Sequence, residues 1–313
     1  MSAPAPAGLT VAAALCWARQ RLEAAEIDSP ALDAEVLLAH ALGSERAVIL
    51  AHPERTLTPA GAAQFRDLVE RRAGREPLAY IIGHKEFYGL DFWVDRRVLV
   101  PRPETELLVE RAVAWARARR PAGGLTIADV GTGSGAIAVA IAVTLGCQSR
   151  PPGDVRIYAL DCSLGALEVA RRNAERHGVS DCVRLLAGDL LAPLPEPADL
   201  VVANLPYVAA DELARLMPEV SRHEPRQALD GGPDGLELVR RLLLEARSRL
   251  RAGAALMLEI GAQQGEAALA AALAAYPDAA CAIERDLAGR ERLLVVQTPV
   301  AGSALASDGA QGM

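Results

Sequence analysis

Aromatic residues are scarce in this chain, at 4% against 51% hydrophobic residues. Ala, Leu and Val must therefore fill most of any core, and any cluster of rings stands out. Cysteines are few and scattered: Cys16, Cys147, Cys162, Cys182 and Cys281 are odd in number and lack C-x-x-C spacing. That argues against a disulfide framework or a thiolate metal site and leaves buried free thiols in a reducing compartment. The five histidines form no H-E-x-x-H or similar pattern, so no metal is expected. Positive charge is not in excess: the net charge is -7 and the pI near 5.4. A broad duplex-binding surface needs a basic patch, so a protein or small-molecule substrate is favoured over nucleic acid. Long apolar runs are absent too. The Ala-rich stretch after Glu266 is closed by Tyr276-Pro277-Asp278, too early to span a bilayer. Met1-Ser2-Ala3-Pro4-Ala5-Pro6 lacks the basic and apolar regions of a secretory signal. A cytoplasmic protein without membrane attachment is the expectation.

What is present organises itself along the chain. With 313 residues, a large core and two domains are expected. Residues 1–76 read as a small helical unit. Ser29-Pro30 and Thr58-Pro59 each place an N-cap hydroxyl before a proline suited to the first helical position. Leu32, Val36, Leu37 and Ala41 recur at helical spacing before Gly43; Phe65, Leu68, Val69 and Arg72 do so before Gly74. Nothing in this unit is catalytic. Residues 77–103 hold a large share of the few rings, broken by glycines, and read as a β-hairpin linker that includes Tyr80-Ile81-Ile82-Gly83 and continues through Arg97-Val98-Leu99-Val100. From Arg102-Pro103-Glu104-Thr105-Glu106 a helix starts.

Over residues 104–299, β-type runs alternate with helical stretches. Strands are expected at Leu125–Val130, Val155–Leu160, Val183–Leu186, Leu200–Ala203, Ala254–Ile260, Cys281–Glu284 and Leu293–Gln297, with helices such as Gly165–Arg176 and Gly235–Arg251 between. This alternation implies an α/β fold with a mostly parallel sheet covered on both faces. Residues 300–313 are expected to be a disordered tail.

Two motifs carry chemistry. Asp129-Val130-Gly131-Thr132-Gly133-Ser134-Gly135 runs from a strand into a helix. Glycine there lets the backbone turn sharply and approach a ligand. The next strand ends at Asp161, where a carboxylate could accept both ribose hydroxyls or simply cap a helix. A dinucleotide fits less well: its G-x-G-x-x-G spacing is not met, and Gly146–Asp154 lengthens the connection to Asp161. S-adenosylmethionine has no phosphate to cradle and is the favoured ligand. Gly188-Asp189-Leu190 is placed to flank the adenine, Asp189 by hydrogen bonding and Leu190 by packing, or is a plain turn. The second motif is Asn204-Leu205-Pro206-Tyr207 at the end of the fourth strand. A primary amide or aromatic amine is a poor nucleophile because its lone pair is delocalised. The Asn204 side-chain oxygen and the Leu205 carbonyl could hold its N–H groups, Pro206 could fix the turn, and the Tyr207 ring could stack on the planar group. The bland alternative is a turn with a packing tyrosine.

Several further segments resemble one family: Pro77-Leu78-Ala79-Tyr80-Ile81-Ile82-Gly83, Glu86-Phe87-Tyr88-Gly89-Leu90, Val98 to Glu106, Glu224-Pro225, Ala228-Leu229, Gly231-Gly232 and Asp286-Leu287-Ala288-Gly289-Arg290. The chain resembles the peptide chain release factor glutamine methyltransferases of the PrmC/HemK type. The resemblance covers nearly everything but the tail. It implies a class I S-adenosylmethionine-dependent methyltransferase domain, Rossmann-like with a seven-stranded sheet, behind a helical domain that helps hold the substrate. The implied reaction is N5-methylation of the glutamine in the Gly-Gly-Gln motif of class I release factors. By this resemblance Gly131, Thr132, Gly133, Ser134, Gly135, Asp161 and Asn204 bind the donor. Asn204, Leu205, Pro206 and Tyr207 hold the glutamine amide, and Phe87 borders the pocket. One departure stands out: the family's usual Asn-Pro-Pro-Tyr has Leu205 in the first proline position. Asn-Leu-Pro-Tyr also occurs in ribosomal RNA adenine dimethylases, which gives one alternative; glutamine methylation of a ribosomal protein is another.

Overall fold

The structure is a computed structural model that describes residues 9–119, 124–149, 151 and 153–300. The expected tail from residue 301, and the residues before Leu9, lie outside the described residues. The chain divides into two units, one comprising residues up to His84 together with Leu216–His223, the other Lys85–Arg215 with Glu224 onward.

The first unit is helical: α1 (Val11–Glu23), α2 (Pro30–Leu42), α3 (Arg46–Ala51), α4 (Pro59–Ala73) and α5 (Leu78–Ile82). Thr58 caps α4 by accepting from the Gly61 N–H at 3.1 Å, whereas the Ser29 hydroxyl makes no capping bond on α2. Gly43 ends α2 in the left-handed conformation, which only glycine adopts without strain. The buried stripe of α2 is Asp33, Ala34, Leu37 and Leu38, so the face expected to include Leu32 is rotated, and Leu32 is exposed. On α4 the expected Phe65, Leu68, Val69 and Arg72 are all buried. Leu37, Leu38 and Phe65, each at 1% exposure or less, meet Val11, Ala14, Ala18 and Leu22 in one core. Burying such a side chain is worth about 1.5–3 kcal/mol.

Arg72 is the polar key of this unit. Its guanidinium donates to Asp33 at 2.7 Å and to Glu219 at 2.9 Å, and Arg75 donates to Glu219 at 2.8 Å. Burial pushes the Glu219 carboxyl up, yet the two arginines and a backbone donor hold it below its ordinary value. Glu219 lies on α9 (Pro218–His223), far along the chain, and this ion network is why that short helix belongs to the first unit.

The second unit, from Lys85, opens within a hairpin of β1 (His84–Phe87) and β2 (Leu90–Trp93). Tyr88 and Gly89 both take positive φ, 54° and 72°, as a tight two-residue hairpin turn requires. The linker is thus shorter in strand than expected. Tyr80 to Ile82 form α5, because Gly83 terminates a helical turn rather than a strand, and Arg97 to Val100 are loop.

The main sheet contains β3 (Leu125–Val130), β4 (Val155–Asp161), β5 (Val183–Ala187), β6 (Ala198–Ala203), β7 (Leu250–Glu259), β8 (Ala280–Arg285) and β9 (Glu291–Gln297). Its order is β5-β4-β3-β6-β7-β9-β8; β9 runs antiparallel to both neighbours and the other pairs are parallel. All six residues of β3 and of β6 are buried, as strands covered on both faces must be. One face packs α6 (Glu106–Arg117), α7 (Ala136–Thr144) and the hairpin rings Phe87 and Phe92; the other packs α10 (Glu237–Ala246) and α11 (Gly265–Ala275). α8 (Leu164–Arg176) follows β4. The helix expected over 235–251 ends at Ala246, and Leu250 and Arg251 already belong to β7. From β3 the chain winds outward to β5 on one side and through β6 to β7 on the other. The carboxyl ends of β3 and β6 therefore flank a topological switch point, where open α/β sheets bind ligands.

Candidate active site

A cavity of about 580 Å³ opens at this switch point. Its lining includes Gly131, Thr132, Gly133, Ser134, Asp161, Asp189, Leu190, Asn204, Leu205, Pro206 and Phe87. Gly135 and Tyr207 stand next to lining residues without themselves forming the wall.

The glycine loop leaves β3 with positive φ at Gly131, Gly133 and Gly135 (74°, 54° and 79°). Gly135 has a packing reason as well, since a Cβ there would lie 3.1 Å from the Ala170 side chain. Gly133 has none: the nearest atom to its Cβ position is the Gly131 oxygen at 4.0 Å. Asp161 braces this loop. One oxygen accepts from the Gly133 N–H at 2.9 Å, the other from the Ser163 N–H at 2.8 Å. The N-cap of α8 is Ser163, whose hydroxyl accepts from Ala166; Asp161 is not that cap. Each Asp161 oxygen keeps a second lone pair.

Asp129, the start of the loop motif, takes a structural part in the site that the sequence alone did not show. It is fully buried, and its Oδ2 accepts from the Thr132 hydroxyl at 2.6 Å and the Ala138 N–H at 3.2 Å, tying loop to helix. Among the described residues its other oxygen has no partner, and burial pushes the carboxyl up to about 7 against those two bonds. The signal available was an acidic residue near the end of a fully buried strand.

Asp189 forms an ion pair with Arg241, while Leu190 is buried with φ 43°. The arginines that reach the cavity are all neutralised: Arg97 by Asp95 and Glu168, Arg102 by Glu224, Arg241 by Asp189. Burial raises the Glu224 carboxyl despite Arg102. A phosphate-bearing ligand would find no unpaired cation among these side chains, whereas a cationic ligand with ribose hydroxyls suits them.

Asn204 follows β6 and donates from Nδ2 to the Thr105 hydroxyl at 3.0 Å. Among the described residues nothing donates to its Oδ1 or to the Leu205 carbonyl oxygen. Leu205 is buried and approaches the glycine loop: its Cδ2 would be 3.2 Å from a Cβ on Gly131. The backbone beyond is clamped. Gln264 donates to the Tyr207 carbonyl at 2.8 Å, and Gly231 donates to the Val208 carbonyl at 2.9 Å. A Cβ on Gly231 would stand 2.6 Å from the Pro206 oxygen, and one on Gly235 only 2.2 Å from the Tyr207 oxygen, so both positions need glycine. The Tyr207 hydroxyl is raised to about 12, first by burial and then by the Glu259 charge. Phe87, 1% exposed, meets Phe92 edge-on at 6.0 Å.

Among the described residues no group of three or more His, Cys, Asp or Glu could hold a metal, and no helix is long and apolar enough to cross a membrane. The thiols differ from expectation: Cys16 and Cys162 are exposed and Cys147 is buried.

Comparison with known proteins decides the family. A release factor glutamine methyltransferase of Moorella thermoacetica is 45% identical over 287 residues, covering 91% of this chain and 97% of the relative. The chain belongs to the release factor glutamine methyltransferase family. A second member, from Cereibacter sphaeroides, is 42% identical and is matched over 100% of its length. The PrmC N-terminal domain model matches residues 13–83, and the ribosomal protein L11 methyltransferase (PrmA) model matches residues 113–229. Among solved structures, the hMettl16 catalytic domain in complex with the MAT2A 3'UTR hairpin 6 aligns with a TM-score of 0.51 at 19% identity, over 74% of this chain and 81% of that one. The fold is thus the α/β class I methyltransferase fold, and the chain is an enzyme of the glutamine methyltransferase class.

Proposed function

We propose that this enzyme methylates the side-chain nitrogen of the glutamine in the Gly-Gly-Gln motif of class I release factors, with S-adenosylmethionine as donor. The observation that carries this reading is the pair of unengaged acceptors, Asn204 Oδ1 and the Leu205 carbonyl, set against the glycine loop in one cavity. The names of the relatives support the substrate, and the cytoplasm is the compartment that suits it.

Gly131 to Gly135 and Asp161 would hold the donor, with Asp161 turning its remaining lone pairs to the ribose and Asp189 and Leu190 flanking the adenine. When bound, the donor supplies a methyl carbon on a positively charged sulfur. Asn204 Oδ1 and the Leu205 carbonyl accept the two N–H groups of the glutamine amide. Held this way, its nitrogen would lose part of its conjugation and be oriented for attack on the donor's methyl carbon. Pro206 fixes the turn, Tyr207 packs behind it, and Phe87 walls the pocket. As the nitrogen–carbon bond formed, the methyl–sulfur bond would break and the sulfur would leave as the neutral thioether; the cationic nitrogen would then lose its proton to water, so no strong base is needed.

The test is transfer of a labelled methyl group from S-adenosylmethionine to a purified class I release factor. Label is expected on the intact factor and not on one whose Gly-Gly-Gln glutamine is replaced by alanine. Equal labelling of both factors would overturn the reading, as would preference for a ribosomal protein or ribosomal RNA.

A further inference from the structure

Behind the acceptor loop lies a carboxylate with no part in the transfer step described above. Glu259 ends β7 at 2% exposure, and among the described residues neither of its oxygens has a partner in strict hydrogen-bond geometry, although the Thr105 and Tyr207 hydroxyls stand close enough to act on its charge. A buried carboxylate without a partner is costly, so its presence at this place calls for a reason. The parallel register pairs Ala203 with Leu258, which sets Glu259 level with Asn204 on the neighbouring strand. The hydroxyls of Thr105 and Tyr207 and the Arg292 guanidinium on β9 favour its charged form. Glu104, beside Thr105, opposes it; burial dominates and pushes the carboxyl up to about 7.

Thr105 joins this group to the site. It is 4% exposed, and its oxygen accepts from Asn204 Nδ2 at 3.0 Å. That bond alone does not fix the amide. A hydroxyl can equally donate to an amide oxygen, with Asn204 turned over and its NH₂ facing the substrate. The outcome depends on where the Thr105 proton goes.

We propose that Glu259 is a positioning residue for methyl transfer: its carboxylate draws the Thr105 hydroxyl proton, so Thr105 must accept from Asn204 Nδ2 and Asn204 must present Oδ1 to the substrate amide. The proposal rests on the reading of Asn204 as the amide acceptor. Tyr207, whose hydroxyl stays protonated across the working range, offers the same carboxylate a second donor. A protonated Glu259 can donate to Thr105 instead, which releases the Thr105 proton towards Asn204 and lets the amide turn. Transfer should therefore weaken on the acid side as Glu259 takes up its proton.

The experiment is single-turnover methylation of a purified class I release factor at saturating S-adenosylmethionine, across pH values on both sides of neutrality. Donor affinity is measured in parallel by calorimetry. Glu259→Gln is expected to slow transfer roughly 10- to 100-fold, the scale of a misplaced reacting group. It should also lose the acid-side decline of the native enzyme and leave donor affinity unchanged. Thr105→Val should match that loss, the double variant should be no slower than the slower single one, and Thr105→Ser should retain native behaviour. The proposal is overturned if Glu259→Gln keeps the native rate and acid limb, if it weakens donor binding, or if the two losses multiply in the double variant. Failure of the native enzyme to methylate the factor at all would overturn the function reading and this proposal with it. Native activity with an indifferent Glu259→Gln overturns the proposal alone.

Discussion

The two halves of the cavity are built in different ways. The half proposed for the donor is local: one loop, Gly131 to Gly135, braced by Asp129 from its own strand and by Asp161 from the next. The half proposed for the amide acceptor is assembled from afar. Asn204 is held by Thr105, Tyr207 by Gln264, and the loop is pressed by Gly231 and Gly235, residues that come from four separate segments. A local half can be recognised from spacing and tolerates divergence elsewhere; an assembled half exists only when the whole sheet has closed. Binding of the donor and activation of the amide should therefore respond to different substitutions.

The sharpest break is Asn204→Ala. On the proposed reading it removes one of two amide acceptors, and kcat on release factor is expected to fall roughly 10²–10³-fold, the scale of losing one preorganised polar group. Steady-state methylation assays read it. On the donor side, Asp161→Ala should weaken S-adenosylmethionine binding by about 1.5–3 kcal/mol in calorimetric titration while leaving the protein folded.

Asp129 sharpens the same contrast through pH. Its folded carboxyl sits at about 7, above its ordinary 3.8, so the fold favours the neutral form. That stabilisation is complete below the unfolded value and is lost as pH rises through about 7. Asp129→Asn keeps an acceptor for Thr132 and Ala138 without the charge. Relative to the native chain it should gain about 2–3 kcal/mol of stability between about pH 5 and pH 8. Urea denaturation at the two pH values checks this; a pH-independent difference would contradict it.

Two smaller effects concern shape. Gly235→Ala places a methyl group 2.2 Å from the Tyr207 oxygen at φ 74°, and should cost about 1–3 kcal/mol of stability while slowing transfer more than it weakens donor binding. Leu205→Pro keeps the carbonyl and places a proline where the resembled family usually has one. It loses the contact with Gly131, so its effect on kcat/KM should stay within about tenfold, the equivalent of 1.4 kcal/mol.

Legibility followed the same division. The strands, the glycine loop and Asp161 could be read because β-type runs, tight turns and strand-end acids are neighbours in sequence. Asn204 to Tyr207 could be read as a motif, but not its supports. Thr105, Gln264 and Glu259 lie 99, 57 and 55 residues from the groups they serve or face, and no periodicity links them. Tyr80 to Ile82 misled because rings and β-branched residues favour strands, while Gly83 in fact closes a helical turn. Leu32 misled because a helix of mostly apolar residues leaves the phase of its buried face undetermined, and the charge on Asp33 hid the ion pair with Arg72 that sets it.

Single-turnover methyl transfer to a class I release factor, followed against donor concentration for Asp161→Ala and Asn204→Ala side by side, tests the division most directly. With excess S-adenosylmethionine, Asp161→Ala is predicted to recover a rate near that of the native enzyme, and Asn204→Ala is predicted to stay slow at every concentration. Recovery of Asn204→Ala by excess donor, or an Asp161→Ala enzyme that remains equally slow at saturation, would contradict it.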